Sequence, residues 1–141
     1  MNTHNSINEL WEQLRDAIDA TYKQATPGAK DGNVLRDYAR DISWEDNLLT
    51  LLYREKVNEK QHRSNRPTPK GFSSEDAAKL IIMNCVVRGS ERKELPSSTD
   101  ILVYRQTAIE AEVIGYLVRG HVAATWVERV SQFDYAKLMA A

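Results

Sequence analysis

The stretch SSEDAAKLIIMNCVVRG, residues 73–89, decides between an all-helical protein and one that contains a buried strand. Its second half is apolar and rich in β-branched residues, which are common in short buried strands. Its beginning, Ser73–Asp76, is typical of a helix N-terminus, because a serine caps free backbone N–H groups and the two acids complement the helix dipole. Arg88 and Gly89 are typical of a helix C-terminus, with the glycine just beyond the last turn. Since both ends agree, the sequence predicts a helix, with a strand at residues 80–87 as the alternative.

Two more helices are predicted on the N-terminal side of this stretch. The first carries one apolar stripe at three- and four-residue spacing and ends before Pro27 and Gly28, which interrupt helices. The second follows a capping sequence at Ser43–Asp46 and becomes polar from Arg54 onward, so we expect its end, up to His62, to project into water. A shorter helical stretch is predicted between them, and a proline-rich loop follows the second. The apolar stripe of the first helix consists of Ile7, Leu10, Trp11, Leu14, Ile18 and Tyr22.

On the C-terminal side, one helical pattern continues from Ser98 almost to the end of the chain. A straight helix of that length measures about 60 Å, whereas a globule of this size is about 40 Å across. We therefore expect a break or kink near Gly115–Gly120, or a protruding helix that supports a homodimer. In the second case Trp126, Phe133 and Tyr135 are candidate interface residues, because aromatic residues are enriched at interfaces.

These patterns predict an all-α protein: an irregular single-domain bundle of five or six helices that spans residues 1–141. A length of 141 residues and an apolar content of 42% are ordinary for one globular domain. The polar N-terminus does not resemble a signal peptide, and no apolar stretch is long enough to span a bilayer. We therefore expect a cytoplasmic protein with no membrane contact. The single cysteine, Cys85, is interpreted as a small buried residue, because nothing near it in the sequence supplies the basic setting of a reactive thiol.

Charge is distributed unevenly along the chain, although the formal net charge is only −1. Residues 1–46 contain nine acids and five bases, residues 47–93 contain five acids and ten bases, and residues 94–141 contain six acids and four bases. The middle segment is therefore basic by five charges and lies between two acidic flanks. Its bases concentrate at the polar end of the second helix and in the loop that follows.

This basic segment is the strongest candidate for a binding surface, and three interpretations are open. It can be an ordinary solvated helix end and loop, it can dock on an acidic protein surface, or it can hold the phosphates of a nucleic acid. No aromatic residue lies between Tyr53 and Phe72, so the stacking of bases is not supported there. The candidate partner-binding residues are Arg54, Lys56, Lys60, Arg63, Arg66, Lys70, Arg92 and Lys93.

The sequence contains no catalytic or metal-binding motif at the spacing that such a site needs. His4, His62 and His121 are far apart, so no pair has the spacing of zinc ligands, and we expect no metal or other cofactor. The acids of the first helix resemble half of the magnesium site of all-α nucleotide pyrophosphatases, but the second acidic helix of that site is missing. A solvated face paired with nearby bases such as Arg15 is the simpler interpretation. The acids concerned are Glu9, Glu12, Asp16 and Asp19.

The segment Tyr104–Ala108 and the apolar helix after it resemble the C-terminal helix of small helical subunits of CRISPR effector complexes. The likeness rests on one amphipathic helix, so no property is carried over from it. The sequence favours a non-catalytic binding protein, a helical adaptor or inhibitor of phage or plasmid origin, that docks on a protein through its basic segment. The alternatives are a nucleic-acid-binding module or small ribonucleoprotein subunit, and a metal-dependent all-α nucleotide hydrolase.

Overall fold

The computed structural model describes residues 3–24, 48–62, 73–92 and 107–133, and all regular structure in these ranges is α-helical. The all-α prediction is confirmed for this part of the chain. The short helix predicted after Asn33, the proline-rich loop and the cap at Ser43–Asp46 lie outside the described residues. The helices are α1 (Thr3–Gln24), α2 (Leu48–His62), α3 (Ser74–Glu91), α4 (Thr107–Leu117) and α5 (Ala124–Ser131).

Helix α3 covers the deciding stretch and lies at the centre of the described fold, in contact with the four other helices. Ser73 is its N-cap, and the Ser73 Oγ accepts a hydrogen bond from the backbone N–H of Asp76 at 3.1 Å. The predicted helix is therefore confirmed, and the alternative of a strand at 80–87 is wrong. Because α3 is covered on several sides, it is apolar around most of its circumference instead of along one stripe. Its fully buried side chains are Ala77, Ala78, Leu80, Ile82, Met83 and Val86.

Gly89 does not end helix α3, contrary to the prediction from sequence. The helix continues to Glu91, and the backbone N–H of Arg92 donates to the carbonyl oxygen of Gly89 at 3.2 Å. Gly89 instead lies directly against the backbone of Glu112 in α4, where a Cβ atom would have no room. The glycine thus serves the packing of two helices, which a pattern along one helix does not reveal.

Helix α1 buries its apolar stripe from Ile7 to Ile18 in the same core as α3, and the Tyr22 side chain lies outside the described part of the chain. Ile7, Leu10, Leu14 and Ile18 are each at most 1% exposed. The ring of Trp11 meets that of Tyr53 from α2 edge to face, with 5.8 Å between the ring centroids. The Lys79 ammonium of α3 lies 5.9 Å and 5.5 Å from these two ring centroids. The three helices are therefore joined by one aromatic and cationic contact at the edge of the core.

The chain turns between α4 and α5, which begins seven positions after Leu117, at Ala124. Hydrogen bonds from the backbone N–H groups of His121 and Val122 to the carbonyl oxygen of Val118, at 2.7 and 3.0 Å, close this turn. Helix α5 then packs on α1, where the Trp126 indole Nε1–H donates to the carbonyl oxygen of Leu10 at 2.8 Å. None of the five described helices is both long enough and apolar enough to cross a lipid bilayer.

Candidate functional site

Three of the eight predicted partner-binding residues have described side chains: Arg54, Lys56 and Arg92. Arg54 is exposed on α2, as expected for a helix end in water. Lys56 differs, because its side chain is only 17% exposed and its Nζ contacts the Glu59 carboxylate at 3.1 Å. At Lys56, therefore, α2 is partly buried rather than fully in water. Lys60 lies within α2, and the residues outside the described part of the chain are Arg63, Arg66, Lys70 and Lys93.

Arg92 belongs to a group of charges, which we call the arginine cluster, formed by Arg88, Arg92 and Arg119 around Glu112. The Glu112 side chain is 13% exposed. Its carboxylate oxygens form ion pairs with the Arg92 Nη2 at 2.6 Å and with the Arg88 Nε at 3.4 Å. The Arg119 Nη1 donates to the backbone carbonyl oxygen of Arg92 at 2.8 Å. One nearly buried carboxylate thus orients two guanidinium groups, while the third holds the end of α3.

The position of the cluster follows from the crossing of α3 and α4. Because Gly89 lies against the backbone of Glu112, the carboxylate of Glu112 comes between Arg88, in the last turn of α3, and Arg92, the extended residue that caps the helix. Arg119 follows the end of α4 and places its positive charge at the C-terminus of α3, where the helix dipole favours a cation. The exposed fractions of the Arg88 and Arg92 side chains, 57% and 45%, leave both accessible to a partner.

Arg92 is among the eight partner-binding residues predicted from the sequence, whereas Glu112 and Arg119 are not. The spacing of Arg88 and Arg92 carried no signal of the cluster, because Arg92 lies just beyond the helix in an extended conformation. Nothing in the sequence pairs Glu112 with them, because the contact joins residues that are 24 positions apart.

Cys85 lies beside the arginine cluster, and its surroundings correct the expectation that no basic group is near it. The Arg88 Nη2 contacts the Cys85 Sγ at 3.0 Å. Burial nevertheless raises the pKa of the Cys85 thiol, and the positive charges of Arg88 and Lys56 only partly oppose this effect. The side chain is 3% exposed. The thiol is therefore protonated and shielded at neutral pH, which agrees with its interpretation as a small buried residue.

The charges around the cluster nearly balance. On α2, on the C-terminal halves of α3 and α4 and just beyond the ends of these two helices, the described side chains include five bases and four acids. The larger positive excess predicted from the sequence therefore has to come from Lys60, Lys93 and the loop residues. The five bases are Arg54, Lys56, Arg88, Arg92 and Arg119, and the four acids are Glu55, Glu59, Glu91 and Glu112.

The acidic face of α1 is engaged in ion pairs. Glu9 contacts Arg129 of α5 at 3.4 Å, and Glu12 contacts Arg15 at 3.7 Å, the pairing expected from the sequence. Within the described ranges, no three His, Cys, Asp or Glu side chains come together in a group that could hold a metal ion. The arrangement of Glu9 and Glu12 is that of a helix surface with neighbouring bases.

The aromatic residues predicted for an interface occupy different environments. Trp126 is 4% exposed and lies in the core, whereas Phe133 is partly buried and packs against the core from its edge. Tyr135 lies outside the described residues. Trp126 is thus covered by the described fold itself.

Comparison with known proteins finds no matching family model, no matching curated protein and no matching solved structure.

Proposed function

We propose that this protein is a non-catalytic binding protein, a helical adaptor or inhibitor that docks on a protein partner. The docking surface combines the arginine cluster with the polar end of α2 and the basic loop after it. The observation that carries the proposal is the pairing of Arg88 and Arg92 with Glu112 at the surface, beside Arg119, which donates to the carbonyl oxygen of Arg92. Guanidinium groups held in place by a carboxylate lose less conformational entropy when they bind a further carboxylate. The proposed contact residues are Arg54, Lys56, Lys60, Arg63, Arg66, Lys70, Arg92 and Lys93.

A protein partner is favoured over a nucleic acid by the mixture of charges on the described surface. Surfaces that bind nucleic acids are strongly positive, since each phosphate contact draws on a base that is not already neutralised. Here Glu112 already pairs with two of the arginines, and Glu59 pairs with Lys56. An interface with both signs of charge instead complements a protein surface with the opposite pattern, and this arrangement fixes the orientation of the partner.

The experiment that tests the proposal replaces Arg63, Arg66 and Lys70 together with serine. The immobilised protein is used to capture its partner from a lysate of the source cells, with and without nuclease. We expect the wild type to retain the same partner after nuclease treatment and the triple variant to lose it, while the circular dichroism signal of the helices is unchanged. A matched control replaces Arg15, Lys23 and Lys30 in the acidic N-terminal segment, and capture should survive that change. Equal capture by the triple variant and the control would contradict the proposal.

The second candidate is a nucleic-acid-binding module or a small subunit of a ribonucleoprotein complex, and the excess of bases in residues 47–93 favours it. It predicts that capture depends on nuclease-sensitive material. It also predicts that affinity for labelled RNA or DNA falls steeply with salt, with a log–log slope of several units for several phosphate contacts. If the affinity for RNA or DNA does not depend on salt and capture resists nuclease, the result favours a protein partner.

For the chain as a whole we propose an irregular bundle of five or six helices, with the break after α4 separating the last two. A homodimer through the C-terminal segment is a separate proposal that does not require one continuous helix, with Phe133 and Tyr135 as its contact residues. Sedimentation measurements at several concentrations test it. A chain that remains monomeric at every concentration, or a Phe133→Ser variant with unchanged association, contradicts the dimer.

A further inference from the structure

A cleft of about 260 Å³ lies between α1 and the first turns of α5 and shares no residue with the arginine cluster. Its floor is apolar and contains Leu14, Ala17 and Trp126, which are between 1% and 8% exposed. The Trp126 indole is fixed in the floor by its hydrogen bond to the carbonyl oxygen of Leu10. A rigid apolar floor of this kind favours a flat apolar group as its occupant.

The rim of the cleft is polar, and Arg129 gives it a positive charge. It contains Gln13, His121, Thr125 and Arg129, and no residue that lines the cleft carries a carboxylate. The Arg129 side chain contacts Glu9 through Nη2 at 3.4 Å, a contact that uses only part of the five N–H donors of the guanidinium. An anionic group at the rim would therefore meet hydrogen-bond donors and a positive charge above an apolar surface.

The size of the cleft limits the ligand further. Pockets for drug-sized ligands measure roughly 300–1,000 Å³, and a cavity of about 150 Å³ holds one benzene molecule. A cleft of about 260 Å³ lies between these values. We propose that it binds a small aromatic monocarboxylate, with the ring on Trp126 and Leu14 and the carboxylate beside Arg129 and Thr125.

The test is a titration of the full-length, ¹⁵N-labelled protein with benzoate, followed by the amide signals and the Trp126 indole N–H signal. The neutral isostere benzamide is titrated in parallel. We expect saturable shifts centred on Thr125, Trp126 and Arg129, with a dissociation constant on the order of 1 mM or tighter for a ligand of this size. Benzamide should bind about tenfold more weakly, since it lacks the charge that Arg129 recognises.

Two pairs of variants identify the site. Thr125→Glu places a negative charge at the rim, and it is compatible with folding because an acid in the first turn of a helix is favourable. The Thr125→Glu variant should bind benzoate about tenfold more weakly, whereas the matched Thr125→Gln should change the affinity far less. Arg129→Gln should also lower the affinity for benzoate about tenfold. The control Arg15→Gln removes an arginine that does not line the cleft, and it should leave the affinity unchanged.

Three results would overturn the proposal. The first is the absence of saturable shifts at benzoate concentrations up to about ten times the expected dissociation constant. The second is equal affinity for benzoate and benzamide. The third is an equal loss of benzoate affinity in Thr125→Glu and Thr125→Gln. Because the cleft and the arginine cluster have no residue in common, each of these results leaves the proposed docking function untouched.

Discussion

Gly89 of α3 and Gly115 of α4 lie against each other where the two helices cross, and neither position has room for a side chain. A Cβ atom added at Gly115 would lie 3.0 Å from the carbonyl carbon of Gly89 and 2.8 Å from the backbone nitrogen of Ser90. A Cβ atom added at Gly89 would overlap the backbone of Glu112. Backbone atoms within helices cannot move aside singly, so a side chain at either position has to separate the helices.

We predict that Gly89→Ala and Gly115→Ala each lower the free energy of unfolding by about 2 to 3 kcal/mol, because the added methyl group forces the central crossing apart. Unfolding in urea, followed by circular dichroism, measures this loss. The control is Gly120→Ala, since a Cβ atom there would meet nothing within 4 Å. The free energy of unfolding of that variant should be unchanged or higher by a few tenths of a kcal/mol, because alanine makes the unfolded chain less flexible. Three equal losses would show that the crossing is not as close as described.

A second prediction concerns Glu112. The change Glu112→Gln removes the carboxylate that pairs with Arg88 and Arg92, and we expect it to lower the free energy of unfolding by about 1 kcal/mol. The value is small because both arginines are about half exposed, so water screens the lost attraction. Added salt should reduce the difference further. The matched change Glu128→Gln on the exposed face of α5 should cost less, and a loss at Glu112 that does not respond to salt would contradict the ion pairing.

A third prediction concerns alkaline pH. Burial raises the pKa of Tyr53 and that of Cys85 above their ordinary values of 10.0 and 9.0, and the charges of Glu75 and Asp76 add to the effect on Tyr53. A group with a raised pKa in the folded state binds its proton more tightly there than in the unfolded chain. Its contribution to stability is therefore complete below the unfolded pKa and is lost as pH rises through the folded pKa.

We expect the free energy of unfolding to fall from about pH 9 upward, where the unfolded thiol starts to ionise. The double variant Tyr53→Phe and Cys85→Ala removes both groups, so its stability should fall less steeply over the same range. Urea unfolding at a series of pH values measures both slopes. If the free energy of unfolding falls equally steeply with pH in the wild type and the double variant, other groups cause the loss of stability at alkaline pH.

A fourth prediction concerns the contact between α5 and α1. Trp126→Phe removes the indole N–H that donates to the carbonyl oxygen of Leu10, and it also leaves a smaller ring in a buried site. We expect a loss of about 2 kcal/mol, combining one buried hydrogen bond with incomplete packing. Thermal unfolding measures it. A loss no larger than that of an exposed substitution such as Thr125→Gln would mean that α5 does not pack on α1 in this way.

The sequence was sufficient for the features that depend on neighbours along the chain. The cap at Ser73, the apolar stripe of α1 and the pairing of Glu12 with Arg15 all involve residues at most a few turns apart in one helix. Such features follow from the helical repeat and from the unsatisfied N–H groups at a helix start, so they can be predicted from residue type and spacing alone.

The tertiary structure decided the role of residues whose partners are distant in sequence. Gly89 looked like a helix stop but accommodates the backbone of α4, and Glu112 had no visible partner until the crossing brought it between two arginines. The indole of Trp126 reaches a carbonyl group 116 positions away. A serine cap, such as that of Ser73, depends on backbone within its own turn, whereas these contacts depend on how whole helices cross, and local periodicity carries no information about that angle.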